Sequence, residues 1–468
     1  MLCAFDLKAI VDTINRVLSD YVLLILLVGT GIYFTIRTRF VQFRGLKDGF
    51  KTIFSRREQC QKGGISSFQA LATAIAAQVG TGNIVGACGA ILIGGPGAIF
   101  WMWVIAFFGM ATIYAEAVLA QETREKDPDG SVRGGPVYYI KRVFKGKLGK
   151  FLAGFFAVAA VIALGIVGGM VQSNSISANF NTAFGVPEWV TGLVVGGLVA
   201  VIVLGGATRI AKVAEKIVPI MAILYLLGGI VVLAVKVTTL PETFAMIFRE
   251  AFTPHAVVGA GFGAVIKSAT QGAKRGLFSN EAGMGSTPHA HALAEVKSPH
   301  EQGSVAMVGV FIDTFVVLTI TALVVINALY VNGEVRPDAT FNSANMAQMA
   351  FGSVFGTEIG NIFVAVCLLF FAFTTILGWN LFGKINFEHL FGKKSLVIYS
   401  IISIIGIVVG SFLGNDTVWA FSDLFNQLMV IPNVMALIAL SSLVVNACKK
   451  KPVDKDPTPP TSQEIEKG

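Results

Sequence analysis

Two glycines flank a threonine inside a long apolar run, in the segment QVGTGN at 78–83. Glycine destabilises a helix interior by about 1 kcal/mol relative to alanine, so a helix through this segment is expected to unwind. If the run crosses a membrane, its unwound backbone must line a cavity or be buried in protein. Free carbonyls can then bind a cation, and free amides a carboxylate. Close helix packing is the alternative, but Gln78 and Asn83 add polar side chains that packing does not need.

A pair of neighbouring hydroxyl groups, Thr374 and Thr375, lies in the apolar run 357–382, with Trp379 and Asn380 following in the same run. Threonine hydroxyls in a membrane helix usually bond back to their own backbone. Hydroxyl and carbonyl oxygens are also the ligands of hard cations, which by analogy include sodium. The pair alone does not decide between these two interpretations.

Three charged side chains interrupt other apolar runs: Glu116, Lys267 and Asp313. An unpaired charge inside a membrane span costs at least about 2.5 kcal/mol, so Glu116 and Asp313 are functional candidates by default. Glu116 lies near one end of its run, where a gate and a structural ion pair are equally compatible with the sequence. Asp313 is a candidate ion ligand or proton site, and Lys267 lies deeper than a snorkelling side chain is expected to lie.

Motifs for other kinds of chemistry are missing from the sequence. It has no GxxxxGK[ST] loop to bind ATP, and none of its five cysteines forms a CxxC pair. We expect His289, His291 and His300 to lie in a solvated loop. Neither the continuous filter of a channel nor the clustered nucleophile and base of an enzyme is visible. The sequence therefore predicts no enzyme, no channel, no ATP-driven pump and no cofactor.

Long apolar runs must position these residues. Of the 468 residues, 54% are hydrophobic and only 14% are charged, whereas about a quarter are charged in soluble domains. A helical span needs about 20 apolar residues, and a β-barrel would show short alternating segments instead. We therefore predict an all-α integral membrane protein with eleven transmembrane helices, near residues 21–38, 66–94, 96–120, 151–174, 189–206, 214–235, 255–284, 304–332, 357–382, 395–413 and 417–446.

Basic residues alternate between the loops. The loops 37–62 and 124–150 are rich in Lys and Arg, whereas 175–188 has none. Because cytoplasmic loops are enriched in these residues, we predict an outside N-terminus and a cytoplasmic C-terminus. The first run lacks a basic segment before it and a cleavage site after it, so we predict a retained span. The expected location is a bacterial or archaeal plasma membrane.

The predicted organisation has two halves. An accessory helix with a basic cytoplasmic loop (1–62) precedes a first block of five helices (63–254), and a second block (255–447) precedes a disordered tail (448–468). We expect two interrupted helices to open the blocks, at 78–83 and at SATQGAKRG, 268–276. Since five is odd, the second block is inserted upside down, and such paired interruptions point to a transporter site.

Several stretches resemble signatures of the alanine or glycine:cation symporter family. They are QVGTGNIVG at 78–86, YAE at 114–116, GGPVYY at 134–139 and RGLFSNEAGMG at 275–285, and the likeness spans nearly the whole chain. The resemblance implies a LeuT-type fold of the APC superfamily, a 5+5 inverted repeat with one extra N-terminal helix. It also implies sodium-coupled symport of a small neutral amino acid into the cell by alternating access. Alanine and glycine are the expected substrates, with D-alanine, serine and glutamine as further candidates.

The resemblance also implies roles for individual residues. The amides of Thr81 and Gly82 would bind the substrate carboxylate. One sodium ion would be bound by the carbonyls of Ala76, Val79 and Phe371 and the hydroxyls of Thr374 and Thr375. The expected remainder of the substrate site is Gln78, Gln172, Gln271, Phe278 and Trp379. A second cation is expected near Gln78 and Asn83, with Asp313 as a candidate ligand. The segment 267–271 departs from the family pattern, which leaves substrate choice open at that end.

A proton-coupled transporter of the same fold is the alternative, with Asp313 or Glu116 as the proton site. The expected partners are a small neutral amino acid, sodium and the lipid bilayer, with no nucleic acid and a monomer as the working assumption. The preferred amino acid, its stereochemistry, the sodium stoichiometry and the oligomeric state are left open by the sequence.

Overall fold

The computed structural model of the chain describes residues 7–54, 65–126, 132–252, 261–332 and 342–449. Nearly all of these residues are helical, which confirms the predicted all-α architecture. The strands β1 (Glu125–Lys126) and β2 (Val132–Arg133) form one short antiparallel pair. Cys3, Cys60 and most of the predicted tail lie outside the described residues.

The helices of the first half, in chain order, are α1 (Leu7–Val17), α2 (Leu24–Arg37), α3 (Val41–Phe54), α4 (Ser67–Gln78), α5 (Ala87–Gly94), α6 (Ala98–Thr123), α7 (Pro136–Val143), α8 (Gly146–Ala160), α9 (Gly169–Phe184), α10 (Glu188–Val203), α11 (Gly206–Val235) and α12 (Leu240–Phe252). Those of the second half are α13 (Gly261–Asn280), α14 (Pro288–Ala292), α15 (Pro299–Val310), α16 (Thr319–Val325), α17 (Met346–Phe355), α18 (Thr357–Phe391), α19 (Leu396–Gly410), α20 (Asn415–Ala439) and α21 (Ser441–Lys449). Wider π-helical turns occur at Leu18–Leu23, Gly82–Gly86, Val161–Gly168, Phe311–Leu318 and Ile326–Val331, and short 3₁₀ turns at Val237–Thr239 and Lys393–Ser395.

Many of these helices are long and apolar enough to cross a membrane. Within the described ranges eight qualify, or up to nine when α4 and α5 are counted as one bent span. Helix α10, with 16 residues, is shorter than the other apolar spans. The count of eleven spans, the inverted repeat and the proposed block boundaries remain predictions, and two of the boundaries fall at undescribed residues.

The first predicted interruption is confirmed. Helix α4 ends at Gln78, the chain turns through residues 79–81, and the helical direction changes by 49° before the chain continues into α5. The segment is wholly buried, although glycine and polar side chains dominate it. An unwound backbone therefore lies inside the protein at membrane depth, as its composition indicates.

The second interruption lies further along the chain than predicted. Segment 268–276 is regular helix within α13, and the irregular backbone follows at 281–287. Helix α13 continues because its polar residues line a cavity of about 640 Å³ that opens at the protein surface, here called the outer cavity, and because Gly272 packs on α6, where a Cβ would lie 2.7 Å from Trp101 Cβ. The chain leaves the helix where Glu281, Gly283 and Gly285 adopt φ values of +59°, +92° and +81°. The prediction of a break at 268–276 was wrong.

Helix α18 brings the hydroxyl pair to the first interruption. It packs against α4, α9, α11 and α17. A Cβ on Gly378 would lie 3.0 Å from the Cβ of Ala77, so only a glycine allows the two backbones to approach this closely. The consequence is that Thr375 contacts the last turn of α4, whereas the hydroxyl of Thr374 contacts carbonyls of its own helix and Met221 of α11.

Candidate functional site

Asn83 shapes the interruption of the first broken helix. Its Oδ1 accepts a hydrogen bond from the Gly80 amide at 3.0 Å, in place of a helical carbonyl. A short polar side chain that offers the backbone such an alternative competes with the helix. Carbonyl oxygens of the last turn of α4 can consequently contact groups outside the helix, such as the hydroxyl of Thr375.

Carbonyl and hydroxyl oxygens converge beside this interruption. Thr375 Oγ1 lies 2.9 Å from the Ala76 carbonyl and 3.1 Å from the Phe371 carbonyl. Thr374 Oγ1 lies 2.9 Å from the same Phe371 carbonyl. Each hydroxyl has one hydrogen to donate, so the group holds more acceptor sites than donors. Such an oxygen cluster has the chemistry of a hard-cation site.

Four of the five residues expected around one sodium ion are therefore brought together by α4 and α18. The fifth, Val79, is buried at the interruption itself and ends α4 with φ −80° and ψ 87°. Gly80 closes the cluster on one side, since a Cβ there would lie 2.3 Å from Thr375 Oγ1.

Unpaired polar atoms occur at the interruption and next to it: Gln78 Oε1 faces Gly309 of α15, whereas Gln172 lies beside Thr81. Among the residues that the structure describes, Gln78 Oε1, Thr81 Oγ1 and Gln172 Nε2 are buried without a hydrogen-bond partner. Each such atom costs about 1–3 kcal/mol unless a ligand pairs with it. The Thr81 amide donates to Gln172 Oε1 at 3.1 Å. The side-chain oxygen of Gln172 thus occupies the place that the resemblance gives to a carboxylate oxygen.

Aromatic side chains stand against this polar group. Phe278 and Trp379 meet edge to face with ring centroids 5.3 Å apart. A Cβ on Gly82 would lie 3.1 Å from Phe278 Cδ1, and one on Gly168 would lie 2.2 Å from Trp379 Cε3. Both aromatic side chains therefore pack closely against backbone, Phe278 at Gly82 and Trp379 at Gly168.

Gln271 is not part of this group. Its side chain packs at Gly94 and lines the outer cavity, with Oε1 buried and unpaired among the described residues. It lies two helical turns before Phe278 on α13, toward the N-terminal end of that helix. The structure therefore places the Gln271 side chain in the wall of the outer cavity.

Asp313 is the centre of a second polar cluster. Asn83 Nδ2 donates to its Oδ1 at 2.6 Å, and the hydroxyls of Ser279 and Thr314 donate to its Oδ2 at 2.9 and 2.8 Å. No cationic side chain pairs with Asp313 within the described part of the chain. Gln78 joins the cluster indirectly, because its Nε2 donates to the Asn280 carbonyl at 2.7 Å. The residues expected around a second cation are thus linked, and both broken helices contribute.

Three residues of this region were not predicted: Ser279, Asn280 and Glu281. Glu281 Oε1 accepts a hydrogen bond from Trp379 Nε1 at 2.5 Å, and its other oxygen is bonded to the Ser286 hydroxyl. All three lie in the RGLFSNEAGMG stretch, where a run of polar residues before closely spaced glycines was an available signal.

Glu116 holds the second interruption in place. Its carboxylate accepts hydrogen bonds from the amides of Gly283 (3.2 Å) and Gly285 (2.9 Å) and from Asn433 Nδ2 (2.6 Å). Tyr139 donates to the oxygen of the same Asn433 amide, which fixes its orientation. All three partners of Glu116 can only donate, so the carboxylate acts as an acceptor. Within the described residues it makes no ion pair.

We expect Glu116→Gln to destabilise the protein. The glutamine amide would turn a donor toward the Gly283 amide, and a buried donor left without an acceptor costs about 1–3 kcal/mol. Glu122→Gln, at an exposed position on the same helix, is the control. Thermal unfolding in detergent should show a lower midpoint for the first variant only; equal midpoints would contradict this role.

An outer lid covers the aromatic wall. Lys274 and Arg275 both pair with Asp423, at 3.4 and 3.3 Å. The Arg275 guanidinium lies 4.3 Å from the centre of the Trp419 ring, and Trp419 lies 4.5 Å from Phe278. These layers separate the pocket from an outer cavity of about 640 Å³. Lys267 is exposed on the wall of that cavity, which explains its tolerance in an apolar run.

The three histidines are not solvated, contrary to the prediction. His289 and His291 are buried in α14 and His300 in α15. His289 Nδ1 donates to the Ser286 carbonyl at 2.6 Å, and Asn386 Nδ2 donates to its Nε2 at 2.9 Å. A polar loop of this kind can be buried because its side chains find partners on neighbouring helices.

Comparisons with known proteins agree with this picture. A model of the sodium:alanine symporter family matches residues 4–456. The sodium/alanine symporter AgcS of Methanococcus maripaludis is 42% identical over 449 residues, covering 95% of this chain and 97% of that one. The probable sodium/glutamine symporter GlnT of Bacillus subtilis is 39% identical over 456 residues, covering 96% and 93%. An uncharacterized transporter of Haemophilus influenzae is 41% identical over 447 residues, covering 95% and 96%.

The fold is also found among solved structures. MhsT in complex with L-phenylalanine matches with a TM-score of 0.55, covering 83% of this chain and 100% of that chain. The sequence identity is 14%, so this likeness concerns the fold alone.

Proposed function

This chain belongs to the sodium:alanine symporter family, and from that premise we propose that it carries a small neutral amino acid, alanine or glycine first, into the cell with sodium. Membership makes the chain a multi-pass membrane transporter that couples amino acid movement to a cation, and not an enzyme. Sodium as the ion, the choice of amino acid and the direction of transport are the proposed part. The observation that carries the proposal is the Thr375 hydroxyl, which lies between carbonyls of two different helices.

The proposed sodium site is the oxygen cluster between α4 and α18. The carbonyls of Ala76 and Phe371 and the hydroxyls of Thr374 and Thr375 are neutral oxygen ligands, which favour a monovalent hard cation over a proton. The Val79 carbonyl completes the set in the proposal. A cation bound there would replace the hydrogen bonds that now hold the cluster, and would fix α18 against the broken helix.

The proposed substrate site is the polar group around Thr81. The substrate carboxylate would displace the Gln172 oxygen from the Thr81 amide and also bind the Gly82 amide. The substrate would then meet the unpaired atoms of Gln78, Thr81 and Gln172. Phe278 and Trp379 would limit the length of the substrate side chain, which supports alanine or glycine over larger amino acids.

The proposed second cation site is Asp313 with the side chains that bond to it. Asn83 caps the first interruption and also contacts Asp313, while Ser279 belongs to the helix of the second interruption. A cation at this point would draw both broken helices together as the substrate binds. Alternating access would follow from the opening of the Asp423 lid on one side and movement of the loop held by Glu116 on the other.

Reconstituted vesicles test the proposal. Labelled alanine uptake should require an inward sodium gradient, should be driven further by an inside-negative potential, and should be competed by glycine. Serine, D-alanine and glutamine complete the competition panel. Equal uptake when potassium replaces sodium would remove sodium from the scheme.

We expect Thr375→Val to raise the sodium concentration needed for half-maximal uptake by about tenfold or more, because a hydrogen-bonding group on a charge contributes about 1.5–3 kcal/mol. Thr375→Ser keeps the hydroxyl and should remain close to the unchanged protein. Thr374→Val should raise the sodium requirement as well. If the two valine variants keep the original requirement while alanine affinity changes, the oxygen cluster is not the sodium site.

A further inference from the structure

An apolar cavity lies next to the proposed sodium site, since Val79 and Met221 are among its lining residues. It has a volume of about 200 Å³ and no polar side chain in its walls. Its lining comes from four places in the chain: Phe50, Ile53 and Phe54 of α3; Phe68, Leu71, Ala72 and Ile75 of α4 with Val79; Val218, Pro219, Met221 and Ala222 of α11; and Val308, Ile312 and Val317 of the span that begins with α15.

The rim of this cavity reaches the outer surface of the helical bundle. Phe54 is 81% exposed, and Ile220 and Ile223, which are sequence neighbours of the lining residues on α11, are exposed as well. Helix α11 and the span that begins with α15 both qualify as membrane spans. An apolar surface in a membrane span is covered by hydrocarbon, and water would find no hydrogen-bond partners in such a cavity. Cavities of about 150 Å³ with similar walls bind benzene or xenon.

Two exposed lysines belong to the helix that contributes Phe50, Ile53 and Phe54 to the cavity. Helix α3 is amphipathic: Leu46, Phe50 and Ile53 pack against the core, while Lys47 and Lys51 are exposed. Lys51 follows the lining residue Phe50 directly and precedes Phe54 by one helical turn. A basic amphipathic helix of this kind lies in the membrane interface, where it attracts anionic lipid headgroups.

We propose that the cavity binds an acyl chain of an anionic phospholipid, whose headgroup pairs with Lys47 and Lys51. The apolar walls suit the acyl chain, and the positively charged lysines suit the anionic headgroup. One lipid molecule therefore accounts for both features. The lipid belongs to the leaflet on the side of α3.

A bound acyl chain would contact two residues that also belong to, or contact, the proposed transport site. Val79 lines the cavity and ends α4 at the interruption. Met221 lines it too, and its sulfur accepts a hydrogen bond from Thr374 Oγ1 at 3.5 Å. Filling the cavity would therefore restrain both the broken helix and the hydroxyl pair. This consequence for sodium rests on the proposed function, whereas lipid binding itself does not.

Photo-crosslinking tests the proposal in the full-length protein. The chain is placed in phosphatidylcholine vesicles that contain phosphatidylglycerol with a photoreactive acyl chain, irradiated and mapped by peptide mass spectrometry. We expect adducts concentrated in the peptides around 50–54, 68–79 and 218–222. Adducts spread evenly over all lipid-facing helices would overturn the proposal.

Variants sharpen the same experiment. Ala72→Phe and Ala222→Phe each place a ring in the cavity and should remove these adducts, whereas Ile220→Phe, on the exposed face of α11, should keep them. Replacing Lys47 and Lys51 by Gln should lower the preference for phosphatidylglycerol over phosphatidylcholine by about fivefold for each lysine.

Ala72→Phe, Ala222→Phe and the control Ile220→Phe are compared only as monodisperse protein. A result from either Ala72→Phe or Ala222→Phe is sufficient to test the site. The lipid site would be contradicted if a folded variant with a ring in the cavity kept the adducts, or if the lysine variants kept the same headgroup preference. Either result would count whatever the sodium assays show. A change in sodium requirement for Ala72→Phe or Ala222→Phe, set against Ile220→Phe, would separately connect the lipid to the transport cycle.

Discussion

Gly80→Ala is expected to abolish sodium-dependent uptake. Its Cβ would lie 2.3 Å from Thr375 Oγ1 and 3.1 Å from Gln172 Oε1, so it would occupy the space between the proposed sodium and substrate sites. Thr375 cannot move aside without leaving its position between the carbonyls of Ala76 and Phe371, one of which accepts its hydroxyl hydrogen. Gly80 does not have a left-handed φ, so the alanine backbone is unstrained and the effect is steric.

Gly86→Ala is the matched control on the same broken helix. A Cβ there would meet its nearest neighbours at 3.7 and 3.8 Å, which is ordinary contact. Uptake of labelled alanine by reconstituted vesicles measures both variants, with protein yield and thermal midpoint measured alongside. Normal sodium-driven uptake by Gly80→Ala would show that residue 80 does not border the transport site.

Asp313→Asn is expected to lose cation coupling while keeping the fold. An asparagine can accept from Asn83 through its carbonyl and donate to the hydroxyls of Ser279 or Thr314, since hydroxyls both donate and accept. What disappears is the negative charge. A cation held about 4 Å from a carboxylate gains roughly 4 kcal/mol at an effective dielectric constant of about 20, which corresponds to roughly a thousandfold in cation affinity.

Asp416→Asn, at an exposed aspartate on the wall of the outer cavity, is the control for charge removal. The sodium dependence of uptake and the number of sodium ions moved per alanine are measured for both variants. Intact coupling in Asp313→Asn would exclude Asp313 as a cation ligand. A lost pH dependence with an unchanged sodium requirement would assign it a proton instead, as in the proton-coupled alternative.

The interruption at 78–83 was predictable because its cause is local. Two glycines and a competing Asn83 side chain weaken the helix wherever the segment lies, and the structure shows that bond between Asn83 and Gly80. The hydroxyl pair was predictable as a candidate for a similar reason, since Thr374 and Thr375 stand out in an apolar run. Which carbonyls they contact could not be predicted without knowing how α18 packs on α4.

The second half shows where local signals fail. Segment 268–276 contains glycines and polar residues, as the interruption at 78–83 does, but it remains helical. Gly272 allows α13 to pack closely on α6, and Lys274 and Arg275 pair with Asp423 in the lid. Glu281 escaped prediction because its importance lies in its contact with Trp379, almost a hundred residues away. The histidines were misplaced because burial of a polar loop depends on partners that the sequence does not display.

Composition and short-range pattern thus determined the class of this protein, its helical architecture and the segment where the first helix opens, because membrane burial and backbone propensity act within about 20 residues. Tertiary structure alone decided which oxygens share a cluster, that Glu116 accepts hydrogen bonds from backbone amides, and where the second helix opens. Those outcomes depend on contacts between residues far apart in the chain, and the close helix approaches that produce them exist only once the whole bundle is packed.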